Sequence, residues 1–75
     1  MIIASKTIII NMDQIEAIVC EERSPGVCGV YAISSGRQYL IERYKQMEGA
    51  KNVIKKIVET YKDRIPDKNT VFYMP

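Results

Sequence analysis

A chain of 75 residues and 8.6 kDa forms one small domain that buries only about 60–65% of its extended surface, so its core is thin. With 47% hydrophobic and 27% charged residues, and only 4 Gly and 3 Pro, it is neither disordered, collagen-like nor disulfide-dense. The presence of 0 His removes the commonest general base, the commonest metal ligand and every Ser-His or Cys-His nucleophile, and a net charge of +2 is too small to argue alone for nucleic acid or membrane.

In chain order, the three isoleucines within Thr7–Asn11 read as a strand paired to Ile2–Ala4 through a turn at Ser5-Lys6. No apolar run approaches the roughly 18 residues of a membrane span. Met1 to Ile10 is broken by Ser5 and Lys6 and carries no charged leader or cleavage site. The expected location is therefore the cytoplasm, with Cys20 and Cys28 as reduced thiols. Glu16–Glu22 reads as the next strand. Ser24-Pro25-Gly26-Val27 then predicts a hairpin turn, since Pro pre-sets one central dihedral and Gly accepts a positive one at the other. Ser34-Ser35-Gly36-Arg37 predicts a second hairpin, joining Val27–Ser34 to Arg37–Lys45.

Undisturbed alternation about these turns places Cys20 opposite Tyr31, Ile18 opposite Ile33 and Cys28 opposite Arg23. One face then holds Ile18, Cys20, Tyr31, Ile33 and Leu40, continued by Tyr44. The other holds Ala17, Val19, Val30, Ala32, Tyr39 and Ile41. From Met47 the period becomes helical: Met47, Ala50, Ile54, Ile57, Val58, Tyr61 and Ile65 fall on one side, and Pro66 ends the helix. Lys51, Lys55 and Lys62 line the border of that apolar arc. The tail Thr70–Pro75, with Val71, Phe72 and Tyr73, is apolar enough to dock on the domain or to extend a sheet edge. The expected architecture is α+β: a small antiparallel meander of four to five strands over residues 1–45, packed by one amphipathic helix over 47–65 and followed by a tail over 66–75, in a single domain 1–75.

Chemistry-bearing patterns are scarce. There is no Gly-x-Gly-x-x-Gly, no Gly-Lys-Ser/Thr and no Cys-x-x-Cys. Asn11, Asp13 and Glu16 offer oxygens but lack the ligand spacing of a calcium loop, and read as a turn or cap. Glu21 and Glu22 are adjacent on a strand and point to opposite faces, so they are not a carboxylate pair. Neither catalytic residues nor a metal or cofactor is expected, and the chain does not read as an enzyme. Arg37, Tyr39 and Arg43 alternate on one sheet face, a pattern that stacking and phosphate contacts with RNA can use, but Ile41, Val30 and Val19 share that face, so packing is the preferred reading.

Ile8-Ile9-Ile10-Asn11-Met12-Asp13-Gln14-Ile15-Glu16-Ala17-Ile18, Tyr39–Tyr44, Ala50–Ile57 and the terminal Phe72-Tyr73-Met74-Pro75 resemble a loose group of small uncharacterised proteins of Gram-positive bacteria and their phages. The resemblance implies the strand, Asn-x-Asp-x-Ile, strands and helix order and a mobile-element origin; it carries no activity. The function expected is a small protein-interaction module that binds, and inhibits, a host protein. The alternative is a nucleic-acid or nucleotide binder using Lys51, Lys55, Lys62, Arg37 and Arg43. Apolar side chains on both sheet faces exceed what one helix covers, so a homo-oligomer, most simply a dimer, is expected through Ile18, Tyr31, Ile33 and Leu40.

Overall fold

The computed structural model describes residues 1–63 and 69–75, without the side chains of Tyr61 and Asp63. The first hairpin forms as the isoleucine run predicts: β1 (Ile2–Ala4) and β2 (Ile9–Asn11) pair antiparallel, with Ile3 opposite Ile10. Ser5 closes its turn, its amide donating to the Ile8 carbonyl at 2.9 Å and its hydroxyl oxygen accepting from the Ile8 amide at 3.3 Å. After a 3-10 turn over Met12–Gln14, the strands β3 (Ala17–Ser24), β4 (Val27–Ser34) and β5 (Arg37–Tyr44) form an antiparallel sheet in the order β3-β4-β5. Helix α1 (Met47–Asp63) follows, and β6 (Val71–Tyr73) returns to pair parallel with β1, Ile3 opposite Phe72. No helix among the described residues is long and apolar enough to cross a membrane.

The fold is α+β, but the strands divide between two three-stranded sheets, β2-β1-β6 and β3-β4-β5, in place of one meander of four to five. The tail supplies the reason. By adding to β1, it makes the first hairpin a sheet of its own, and the Met74 amide donating to the Ala4 carbonyl at 2.9 Å extends the pairing beyond β6. The expected end of the helix at Ile65 and Pro66 lies outside the described residues.

Both hairpin turns adopt the geometry their residues favour. Gly26 has φ +76°, while Ser35 and Gly36 have φ +52° and +77°, two successive left-handed residues that match the right-handed twist of a two-residue hairpin. The Glu16 carboxylate accepts from the Ser35 amide at 2.8 Å and holds that turn.

The register inside the hairpins differs from the alternation expected. Ser24 pairs with Val27, but Arg23 has no opposite residue, so Glu22 pairs with Cys28, Cys20 with Val30 and Ile18 with Ala32. This bulge moves every β3 side chain before it to the other face. Ile18 and Cys20 therefore join the core, rather than facing out with Tyr31 and Ile33. A second bulge leaves Ile41 without an opposite residue: Leu40 pairs with Tyr31, then Glu42 with Val30 and Arg43 with Gly29.

The core lies on the inner face of β3-β4-β5, where Cys28, Val30, Ala32 and Ile41 are covered by Ala50, Val53 and Ile57 of α1 and by Met1, Ile3 and Ile10 of the first hairpin. Phe72 and Met74 pack against its edge. The helix is turned from the orientation its pattern suggests: Val53 is buried, whereas Val58 is 48% exposed. At about 100° per residue the apolar arc from Val53 round to Val58 covers roughly 140°, wider than a core shared with the first hairpin has room to bury, so one margin is left out.

Candidate functional site

Three surfaces carry apolar side chains that the core does not use. On the outer face of β3-β4-β5, Val19, Tyr31 and Leu40 form one row across the sheet, beside the row Glu21, Gly29 and Arg43. Tyr31 is only 8% exposed although it lies on the outer face of the sheet. Its ring lies along its own strand above Gly29, where a Cβ would come within 2.6 Å of the ring, and the guanidinium of Arg23 sits 4.1 Å from the ring centroid. Arg23 also pairs with Glu21 at 3.3 Å and donates to the Gln38 side-chain oxygen. The unpaired residue of the bulge is thus the lid of the aromatic ring. Of the expected self-association face, Tyr31, Ile33 and Leu40 share this side, whereas Ile18 packs on the core from the other.

The second surface is an apolar groove of about 330 Å³ between α1 and the start of β3. Met12, Ile15, Ala17 and Ile18 form one wall, and Ile54, Ile57 and Val58 the other. This is where the unburied margin of the helix faces. Lys51, Lys55 and Lys62 are exposed and, at helical spacing, run along its solvent side. Arg43 stands on the outer face of β3-β4-β5, and Arg37 at the Ser35-Gly36 turn. The bulge at Ile41 separates Arg43 from Arg37 and Tyr39, so the expected single face of Arg37, Tyr39 and Arg43 does not form. The three lysines thus share one side of α1, while Arg37 and Arg43 lie apart from them and from each other.

The third surface, missed in the sequence, is the outer face of β2-β1-β6. Ile3, Ile10 and Phe72 point to the core, so alternation turns Ile9 and Tyr73 outward, where they are 73% and 75% exposed. Its signal was the apolar tail, but the strand that Val71–Tyr73 joins is far away in sequence.

The polar groups weighed as ligands have local work. Asn11 caps the 3-10 turn, its side-chain oxygen accepting from the Asp13 amide at 3.0 Å, and Glu16 is engaged with the Ser35 amide. Among the described residues no three His, Cys, Asp or Glu side chains gather as a metal site. The Tyr44 hydroxyl donates to the Pro75 carbonyl at 3.1 Å, tying the tail to β5. Burial first, and then the Glu42 carboxylate, push that hydroxyl above its ordinary range.

Cys20 and Cys28 are free thiols. Cys28 is fully buried and directs its thiol at Glu22, the residue opposite it, at 3.5 Å. Burial first, then the hydrogen bond and charge of Glu22, raise its pKa above the ordinary 9.0. The folded chain therefore holds this proton more tightly than the unfolded one. The stability this group contributes is whole below about pH 9 and is lost as pH rises through the raised value. The thermal midpoint should fall on going above pH 9, and Cys28→Ala should flatten the fall; an unchanged slope in that variant contradicts the assignment. An alkylating reagent should modify half-buried Cys20 before Cys28, and equal rates would show that Cys28 is not enclosed.

No family model matches the chain, and neither a curated protein nor a solved structure matches it.

Proposed function

We propose that this chain is a small protein-interaction module that assembles with itself and acts by binding a protein, as a cytoplasmic, phage- or mobile-element-encoded binder and inhibitor of a host protein. The observation that carries this reading is the amount of apolar side chain left outside the core on the surfaces just described, above all Ile9 and Tyr73. Side chains that converge on no polar cluster but offer apolar area suit recognition of another apolar surface.

The row of Lys51, Lys55 and Lys62 favours a second reading, nucleic-acid or nucleotide binding. It is the weaker one, because Glu48 and Glu59 sit on the same helix and Arg37 and Arg43 do not join the row. Two measurements test the choice. A labelled oligonucleotide titrated at about 50 mM and 200 mM salt should show no saturable binding at either; tight binding that collapses between them would transfer the function to the second reading. Light scattering coupled to size exclusion at low micromolar concentration should give at least twice 8.6 kDa, and a monomer would remove self-assembly from the proposal.

A further inference from the structure

We infer that the outer face of the β2-β1-β6 sheet is the surface on which a second copy of this chain docks, face to face about a two-fold axis. The inference rests on the proposed self-assembly and moves its site away from Tyr31, Ile33 and Leu40. Six side chains project from that face: Ile2, Ala4, Ile9, Asn11, Val71 and Tyr73. None is charged, so two copies that each carry +2 meet there without opposing charges at the contact. Ile9, Ala4 and Tyr73 stand in one row across the three strands. The small Ala4 stands between two large exposed side chains, and a two-fold lets the ring from each copy pack over the Ala4 of the other.

The rival surfaces suit a second copy less well. The α1 groove is bordered by Lys51 and Lys55, which a second copy would meet with its own lysines. On the other sheet Tyr31 is already roofed by Arg23, and Glu21 and Arg43 stand beside it. Strands β2 and β6 are three residues long, too short for pairing at the edges of this sheet to hold two copies, so contact through it is made by its face.

The test is size exclusion with light scattering on the full chain and on four variants, with circular dichroism as a check of folding. Tyr73→Lys and Ile9→Lys change exposed positions and should keep the native spectrum while the mass falls from twice 8.6 kDa to 8.6 kDa. Leu40→Lys and Val58→Lys should leave the assembly intact. If the parent chain assembles but Tyr73→Lys and Ile9→Lys do so equally well, the assignment of this face is overturned and self-assembly stands. If the parent chain is itself a monomer at tens of micromolar, both are overturned.

Discussion

Val53→Asp and Ile57→Asp should each leave the chain unfolded at room temperature. Val53 and Ile57 are buried, 2% and 5% exposed, against the inner face of β3-β4-β5, and among the described residues no charged side chain is buried with them. An unpaired carboxylate placed there costs several kcal/mol, against a total of about 5 kcal/mol, the low end of the usual range, for a chain this small. Val58→Asp and Lys55→Asp should shift the thermal midpoint by only a few degrees, since both positions are exposed. Ile54→Asp should fall between, because Ile54 packs against the core but is only half-buried, at the groove. Thermal melts followed by circular dichroism decide: if Val58→Asp proved as damaging as Val53→Asp, the helix would be turned as its pattern suggests and not as described.

Gly29→Ala should destabilise the fold and Gly29→Val more so, by about 1–3 kcal/mol. In an ordinary strand Ala improves on Gly by up to about 1 kcal/mol, because Gly loses more freedom on folding. Gly29 needs no left-handed backbone, unlike Gly26 and Gly36, so the effect must come from space. The new Cβ would meet the Tyr31 ring at 2.6 Å. The ring must swing off its strand and give up the Arg23 guanidinium above it. A double-mutant cycle isolates this: with Tyr31→Ala already present, Gly29→Ala should become neutral or stabilising. Additive losses in the two backgrounds would show that the ring is not what Gly29 makes room for.

The strands, both Gly turns and the helix were legible because their signals are local: an isoleucine run, Pro-Gly and Ser-Gly dipeptides, and a period of 3.6. The faces were less so, and particular residues show why. The bulge at Arg23 falls in Glu21-Glu22-Arg23-Ser24, where every side chain is polar and alternation carries no information about which faces inward. Tyr39-Leu40-Ile41 is apolar throughout, so a slip of one residue at Ile41 reads equally well either way. One extra residue in each strand was enough to send Ile18 and Cys20 to the core and to part Arg43 from Arg37. The parallel pairing of Val71–Tyr73 with Ile2–Ala4 joins opposite ends of the chain, and no local pattern encodes it. The outer face bearing Ile9 and Tyr73 exists only because of that pairing.

The most direct test of the account is whether Ile9 and Tyr73 of two copies touch. In a mixture of isotope-labelled and unlabelled protein, filtered NMR experiments report only contacts between copies. The account predicts intermolecular cross-peaks between the Tyr73 ring and the methyl groups of Ile9 and Ala4. Intermolecular cross-peaks confined to Val19, Ile33 and Leu40, or none in a sample of monomer mass, would contradict it.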